Sequence, residues 1–312
     1  MDQPVFAAWS LWWAGLFKKY VSITKPGIIV GNLITVVGGF CLASKSHVDF
    51  VQLATTLLGI ALVIASGCVF NNVIDQDIDR AMARTQNRVM AQHEISNPIA
   101  IAYAVFLGVG GMGLLAIQVN ELSAAISALG LFTYVVVYTL WLKRSSARST
   151  EIGSIAGATP IVVGYTAVTN TLDGAAAILF MLLCLWQIPH SYAITIFRYA
   201  DYESASIPVL PVIKGIRATK VSIFFYSVLF LLCLGLLTVF HYTGYAYLVI
   251  TISGAAFWVW QTWQGFQTGN DAVWAKKVFL FSVILISIFS AMLAMNSSIE
   301  SLGCLLFRLC QS

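Results

Sequence analysis

The feature that most constrains this chain is the recurrence of apolar stretches, because a helix of roughly 20 apolar residues spans the hydrocarbon core of a bilayer. Mostly apolar windows occur at 27–44, 50–70, 98–118, 122–142, 153–169, 174–197, 219–240, 243–263 and 276–296. Charged residues make up only 10% of the chain, against roughly 25% in an ordinary soluble domain. The sequence therefore predicts an all-α, polytopic integral membrane protein with nine transmembrane helices, and it excludes a soluble globular enzyme.

Positive charge is distributed unevenly between the predicted loops. Of the 17 Lys and Arg residues, all but Lys45 and Arg308 lie in loops on one side. The positive-inside rule places that side and the N-terminus in the cytoplasm, and nine spans then place the C-terminus outside. Because the net charge of +4 comes from these short loops, we expect no nucleic-acid partner.

We divide the chain into an N-terminal interfacial segment (1–17), an intramembrane domain (18–297) and a C-terminal tail (298–312). The N-terminal segment is rich in Trp and is not Arg-rich and Ser-rich as an organelle transit peptide would be, which favours a bacterial inner membrane. Two long connections, 71–97 and 198–218, lie on the cytoplasmic side and carry six of the 13 acidic residues. We therefore expect the active site on the cytoplasmic side.

The first long connection begins with polar residues at a four-residue spacing. If the preceding helix continues, Asn71, Asp75 and Asp79 form one polar stripe, while Asp77 points elsewhere. Ionisable groups near hydrocarbon are costly unless they line a cavity or bind an ion. Magnesium suits such a stripe, because it takes one or two carboxylates and fills its remaining positions with water and phosphate oxygens. The stripe predicts a magnesium–diphosphate site.

Basic residues accompany this stripe. Arg80, Arg84 and Arg88 repeat the four-residue spacing and predict a cationic row on a neighbouring helix face. Lys143 and Arg144 end the fourth span on the same side, where either residue can reach a phosphate. Arg is suited to forked hydrogen bonds with phosphate oxygens. We expect these five residues to bind the diphosphate.

Several motifs resemble a known family. The order N-x-x-x-D-x-x-x-D over 71–79, followed by Arg84-Thr85 and Arg88, resembles the first Asp-rich motif of the intramembrane aromatic prenyltransferase superfamily, typified by 4-hydroxybenzoate polyprenyltransferase. Four further strings resemble the branch of that superfamily that farnesylates protohaem IX: TKPG at 24–27, SGCVFNN at 66–72, WQIPH at 186–190 and IPVLP at 207–211. The resemblance extends from about residue 18 to about residue 296.

The resemblance implies a nine-helix bundle around a membrane-embedded cavity that opens laterally. It also implies the transfer of the farnesyl group of farnesyl diphosphate to the vinyl group of haem B, with addition of water, giving haem O and diphosphate. Mg²⁺ on Asp75 and Asp79, with Asn71 in its shell, would neutralise the leaving diphosphate. Arg84 and Lys143 would share that charge and complete the expected catalytic set.

Other residues are expected to contact the haem or the prenyl chain. They are Lys25, Asn32, Tyr138, His190, Tyr192, Arg198 and Asp201. Quinone-pathway members of the superfamily carry a second Asp-rich motif after the sixth span, and here Pro189 stands at its first Asp position. Asp201 is then a candidate substitute ligand, and His190 is a candidate axial ligand or propionate contact for the haem.

Three other functions fit parts of the pattern. A quinone-type aromatic prenyltransferase would use the first Asp-rich motif with a phenolic acceptor. A secondary transporter would show inverted repeats and charges near the bilayer midplane, whereas these charges cluster at one face. A structural subunit of a respiratory complex would not need the aspartates for activity. Beyond the lipid bilayer and its substrates, a haem A-forming enzyme or a terminal oxidase assembly is the expected partner.

Overall fold

The computed structural model describes residues 15–45 and 47–311, and it describes side chains as far as residue 296. Most of the predicted interfacial segment therefore lies outside the described residues. The described residues form helices and no strand. The helices are α1 (15–23), α2 (Pro26–Ser44), α3 (Phe50–Ile74), α4 (Gln76–Ala81), α5 (Asn97–Gln118), α6 (Glu121–Ser145), α7 (Ser149–Thr169), α8 (Gly174–Phe197), α9 (Tyr199–Ser204), α10 (Leu210–Val239), α11 (Tyr245–Gln264) and α12 (Asp271–Gln311).

Eight of these helices are long and apolar enough to cross a membrane, counting only the part of the chain that the structure describes. They are α2, α3, α5, α6, α7, α8, α10 and the first part of α12, Asp271–Asn296. Helix α11 coincides with the predicted span 243–263, but its Tyr, Trp and Gln residues lower its hydropathy. The all-helical membrane fold is confirmed, whereas the count of nine crossings and the sidedness of the termini stay predictions.

The helices begin differently at the two ends of the bundle. We call the end that carries loops 75–96 and 198–209 the cap end. Helices α2, α5 and α10 begin there with a proline in the first turn, where the missing N–H costs no hydrogen bond. At the opposite end, Asp49, Asn120 and Asp173 accept hydrogen bonds from the first backbone N–H groups of α3, α6 and α8.

Predicted and observed boundaries differ most at α10. The sequence places residues up to 218 in a loop, whereas the helix begins at Leu210 and includes charged residues. An apolar window ends where charges appear, but a helix continues as long as its backbone hydrogen bonds do. At Gly215 the backbone takes a φ of 83°, which kinks the start of α10.

Helices α2 and α7 pack with their backbones in direct contact. A Cβ atom on Gly164 would lie 2.2 Å from the carbonyl oxygen of Val36, and one on Gly39 would lie 2.3 Å from that of Ile161. Small residues permit this close approach between membrane helices. The tight pair forms one wall of a cavity that opens toward the cap end.

Candidate active site

A cavity of about 390 Å³ lies between α2, α3, α6, α7 and α8. Its cap end is polar and includes Lys25, Asn71 and Asp75, whereas its deep end includes Ile60 and Val63. The cavity thus joins a charged compartment to an apolar one. Such a shape suits an amphiphile with an anionic head and a hydrocarbon tail.

The predicted polar stripe lies at the charged end. Helix α3 ends at Ile74, and Asp75 links it to α4. The backbone N–H of Asp75 donates to the Asn71 carbonyl at 2.9 Å, and that of Asp79 donates to the Asp75 carbonyl at 2.7 Å. The four-residue spacing therefore persists across the junction, and Asn71, Asp75 and Asp79 all line the cavity as buried residues.

The two carboxylate oxygens of Asp75 differ in their surroundings. Its Oδ2 accepts hydrogen bonds from Asn71 Nδ2 at 2.7 Å and from Lys143 Nζ. Its Oδ1 is buried and accepts no hydrogen bond within the described part of the chain, although Arg144 Nη2 lies 3.9 Å away. Burying a carboxylate oxygen without a hydrogen bond costs free energy. Asp75 Oδ1 is therefore available to a ligand that interacts with it in place of a hydrogen-bond donor.

The side-chain amide of Asn71 is fixed by its neighbours. Lys25 Nζ donates to Asn71 Oδ1 at 2.5 Å, which leaves Asn71 Nδ2 to donate to Asp75 and, at 3.3 Å, to Thr139 Oγ1. Burial, followed by the nearby charge of Arg88, lowers the pKa of Lys25 to about 8. Lys25 therefore belongs to the charged end of the cavity, beside Asn71.

Asp79 and Arg88 form the second carboxylate–cation pair. Arg88 Nη1 lies 3.0 Å from both carboxylate oxygens of Asp79. Arg84 also lines the cavity, and its Nε lies 3.8 Å from Asp201 Oδ2. Three cations of the predicted diphosphate set thus line the charged end of the cavity. Lys143 and Arg88 pair with its two carboxylates, and Arg84 lies beside Asp201.

The predicted helical row of arginines does not form. Helix α4 ends at Ala81 and Met82 is extended, so Arg84 and Arg88 reach the cavity from the irregular loop that follows. Arg80 is exposed, and its Nε donates to the Gln76 carbonyl of its own helix at 3.1 Å. Arg80 therefore does not join the other two arginines.

Asp77 and Arg144 pair with each other outside the cavity. Two nitrogens of the Arg144 guanidinium donate to the two carboxylate oxygens of Asp77, each at 2.7 Å. These hydrogen bonds lower the pKa of Asp77 to about 2. The Asp77 side chain is 62% exposed, which agrees with its predicted position off the polar stripe.

The residues predicted to contact haem or prenyl chain fall into two groups. Lys25, Asn32 and Tyr138 line the cavity. Asn32 donates to the Ile28 carbonyl one turn earlier at 2.8 Å, which satisfies this polar group within its own helix. Ile28 also lines the cavity while being 46% exposed. The cavity wall is therefore open to the side at the start of α2.

The second group, His190, Tyr192, Arg198 and Asp201, lies outside the cavity lining. His190 Nδ1 lies 2.7 Å from Ser282 Oγ on α12, and its ring lies between those of Trp186 and Phe279. Tyr192 is buried, and the Arg198 guanidinium lies 5.2 Å from the centre of the Phe197 ring. The structure therefore separates these four residues from the carboxylates.

Sequence reasoning missed several residues that line the cavity, among them Tyr134, Gln187, Ser191 and Tyr202. Gln187 and Ser191 are four residues apart in the sixth apolar window, and this spacing could have indicated that they share a helix face. Tyr134 stacks on Tyr138 with 6.0 Å between ring centres. Tyr202 comes from α9, and no local pattern indicates that α9 closes the cavity.

The donor set at the charged end fits a divalent cation of the magnesium type. No group of three or more His, Cys, Asp or Glu side chains able to enclose a metal occurs in the described ranges 15–45 and 47–296. Magnesium does not need such a group, because it binds through one or two carboxylates and keeps waters and substrate phosphates as its other ligands. The orphaned Asp75 Oδ1 and the Asp79 carboxylate fit that mode. The Asn71 amide oxygen already accepts from Lys25 Nζ and has a second lone pair for a metal-bound water.

Comparison with known proteins gives consistent results. The profile of the UbiA prenyltransferase family matches residues 32–285. The protoheme IX farnesyltransferase of Yersinia pseudotuberculosis serotype O:1b (strain IP 31758) is 48% identical over 291 residues, which are 93% of this chain and 99% of that protein. That of Pseudomonas putida is 49% identical over 280 residues, 90% of this chain and 95% of that protein.

Solved structures show the same fold at lower identity. A digeranylgeranylglyceryl phosphate synthase has a TM-score of 0.74 and 18% identity, covering 90% of this chain and 98% of its own. A UbiA homologue from Archaeoglobus fulgidus bound to GPP and Mg²⁺ has a TM-score of 0.65 and 15% identity, covering 88% of this chain and 99% of its own. At these identities the similarity shows the fold alone.

Proposed function

The chain belongs to the UbiA prenyltransferase family, and from this premise we propose that it transfers the farnesyl group of farnesyl diphosphate to a vinyl group of haem B. Water is added in the reaction, and the products are haem O and diphosphate. The observation that carries the proposal is the near-full-length similarity to protoheme IX farnesyltransferases. The cavity supports it, because two buried carboxylates stand at the charged end of a space whose deeper walls include apolar residues.

We assign the metal–diphosphate subsite to the charged end. Asp75, Asp79 and Asn71 would hold Mg²⁺ there, and the orphaned oxygen of Asp75 is the strongest support for this assignment. A bound Mg²⁺ supplies Lewis-acid neutralisation of the charge on the leaving diphosphate. The relatives' fold accommodates the same chemistry, since the Archaeoglobus fulgidus homologue binds GPP and Mg²⁺.

Cations around the carboxylates would bind the diphosphate. Lys143 pairs with Asp75 and Arg88 pairs with Asp79, so each cation is already held at the charged end. On substrate binding, both can turn to phosphate oxygens, and their preorganised positive charge then stabilises the charge that develops as the C1–oxygen bond breaks. Arg84 and Lys25 line the same compartment and are the next candidates.

Aromatic rings stand beside the path of the farnesyl chain. Tyr134 and Tyr138 are stacked and line the cavity next to the charged end. A ring face stabilises a nearby cation by about 0.5–2 kcal/mol, so this pair would stabilise the allylic cation at farnesyl C1. The vinyl π electrons of the haem then attack C1, and no covalent enzyme intermediate is required.

The haem would enter from the side of the bundle. The partly exposed Ile28 supports a lateral opening at the start of α2. His190 is our candidate axial ligand. Ser282 Oγ donates to the Phe279 carbonyl at 2.6 Å, so it accepts from His190 Nδ1 and leaves the lone pair of Nε2 available to iron. Arg198, which is exposed at the cap end, is the candidate partner for a propionate.

This protein is an integral membrane protein. We propose that it resides in a bacterial inner membrane with the cap end facing the cytoplasm, because the cap end carries nearly all the positive charge. We further propose a haem A-forming enzyme or a terminal oxidase assembly as the recipient of the product. A product with a C15 isoprenoid tail remains in the bilayer, so a membrane partner is the expected acceptor.

The proposal is tested by incubating the purified protein in detergent with haem B, farnesyl diphosphate and Mg²⁺ and analysing the extracted haem by mass spectrometry. We expect a haem heavier by one farnesyl group and one water, which is absent when EDTA replaces Mg²⁺ and in the Asp75→Asn variant. Prenylation of 4-hydroxybenzoate with unmodified haem would instead assign the protein to the quinone-type branch and overturn the proposal.

A further inference from the structure

Gln187 is a polar residue that lines the cavity and has no part in the reaction steps proposed for the charged end. It lies in the middle of α8, and its side-chain amide faces the cavity. Neither Gln187 nor Ser191, one turn later on the same face, has a side-chain hydrogen-bond partner among the residues that the structure describes. A carboxamide carries two donors and an acceptor, so its full bonding capacity is directed at whatever occupies the cavity.

The position of Gln187 is built into the fold. Its carboxamide rests against Gly157 of α7, where an added Cβ would lie 1.9 Å from Gln187 Oε1 and 2.4 Å from Nε2. Any other residue at 157 would displace the amide. Gly157 is eight residues into α7, or about 12 Å from the cap end of that helix. A polar group is thus held at a defined depth, below the carboxylates.

An unpartnered amide at this depth indicates a polar ligand within the cavity. Gln187 is half-buried, so its amide can bond to solvent while the cavity is open. When a bound substrate excludes that solvent, an amide without hydrogen bonds costs free energy, and neither a farnesyl chain nor the vinyl edge of a porphyrin offers it a partner. Water does, because a water molecule in a buried site is stable when two or more polar groups bond to it. Gln187 and Ser191 together supply such groups.

We propose that Gln187, assisted by Ser191, holds the water molecule that is added to the haem side chain. This inference rests on the proposed function. As the C1–oxygen bond of farnesyl diphosphate breaks, its electron pair leaves with the diphosphate. The vinyl π pair forms the new carbon–carbon bond and leaves a cation on the carbon next to the macrocycle. A lone pair of the held water forms the carbon–oxygen bond, and the water's proton passes to the released diphosphate.

The held water decides between two products. Without it, the same cation loses a proton from the neighbouring carbon and gives an alkene, which is lighter than haem O by one water. Gln187 touches a reacting molecule in this scheme, and its removal changes the product rather than only the rate. A residue with a merely structural role would not alter the ratio of alkene to hydroxylated haem.

The test measures that ratio by mass spectrometry in H₂¹⁸O for the wild type, Gln187→Leu, Ser191→Ala and Gly157→Ala. We expect the wild type to incorporate one ¹⁸O atom, and we expect the ratio of alkene to haem O to rise roughly tenfold or more in Gln187→Leu, as for the loss of one hydrogen bond. Gly157→Ala should reproduce this change by displacing the amide, and Ser191→Ala should give a smaller one. Gln118→Leu, the same change on an exposed face of α5, should match the wild type.

The ratio is counted per farnesylated haem, so it does not depend on how much variant protein is folded. A wild-type ratio in both Gln187→Leu and Gly157→Ala would overturn the inference while leaving the proposed function intact. If Gln187→Leu forms no farnesylated haem, a wild-type ratio in Gly157→Ala would by itself overturn the inference. Failure of the wild type to farnesylate haem would instead overturn the proposed function, and the inference with it.

Discussion

Two junctions of the bundle have the same construction and different chemistry. At the first, α3 is followed by the six-residue helix α4, and at the second, α8 is followed by the six-residue helix α9. The segments after the long helices pack on each other through Ile78 and Met82 on one side and Ile207 and Val209 on the other. The first junction directs Asp75 and Asp79 into the cavity. The second keeps Asp201 outside the cavity lining, beside Arg84.

This difference indicates that the two junctions would bind different substrates. The first junction concentrates buried carboxylates and their cations, as a metal–diphosphate subsite requires. The second contributes apolar and aromatic residues, including Tyr202, to the wall of the cavity. His190 lies on the helix that precedes this junction. One half of the cap would therefore bind the leaving group, and the other half would face the large, apolar acceptor. Variants at the two junctions test this difference.

The largest effect should come from exchanging one carboxylate at each junction. Asp75→Asn should lower turnover at least about 100-fold, because it removes a charge that would hold the proposed metal and leaves Lys143 without its buried partner. Asp201→Asn should change turnover by less than about threefold, because that carboxylate makes only a distant ion pair. Turnover is measured as haem product formed at saturating Mg²⁺, and size-exclusion chromatography in detergent checks that each variant is folded and monodisperse.

Equal losses in these two variants would mean that both junctions bind the metal. The two junctions would then not differ in function, and Asp201 would be a substitute metal ligand. Activity in Asp75→Asn would remove the metal assignment itself.

The next effect concerns two adjacent cations at the end of α6. Lys143→Met should lower kcat about 10- to 100-fold, because Lys143 reaches the cavity and would stabilise charge on the leaving group. Arg144→Met should have little effect on kcat, since Arg144 bonds Asp77 and the Ile74 carbonyl outside the cavity. Steady-state kinetics with varied farnesyl diphosphate separates kcat from KM. If Arg144→Met is the more damaging change, the diphosphate lies on the other face of α4.

A moderate effect is expected at the second junction. His190→Ala should weaken haem binding about tenfold, as loss of a group that tunes a metal site does, and should shift the absorption spectrum of bound ferric haem. Binding of farnesyl diphosphate with Mg²⁺ should not change, because His190 lies outside the cavity lining. Ser282→Ala is the matched variant, since it frees the Nδ1 position and should give a smaller spectral shift. An unchanged spectrum in His190→Ala would exclude it as a ligand.

Sequence patterns predicted the helices and the first junction well, for physical reasons. Apolar windows locate membrane helices because the bilayer tolerates no unsatisfied backbone, and the four-residue spacing at 71–79 predicts the stripe because hydrogen bonds carry the helical geometry across Asp75. The predicted row of arginines failed where α4 ends at Ala81. The positions of Gln187 and Tyr202 in the cavity depend on contacts between distant helices, which no local periodicity contains.

The smallest effect should come from Asp77, the outward carboxylate of the first junction, which serves as an internal control for Asp75. Asp77→Asn should leave turnover within about twofold of the wild type and lower the free energy of unfolding by at most about 1 kcal/mol, because its pair with Arg144 is exposed. Arg144 lowers the pKa of Asp77 from 3.8 to about 2 in the folded protein. The stabilisation is therefore present above pH 3.8 and is lost as the pH falls toward about 2. The unfolding temperatures of the wild type and Asp77→Asn should differ at pH 6 and converge at low pH. A loss of turnover in Asp77→Asn as large as that in Asp75→Asn would show that both faces of α4 serve the reaction.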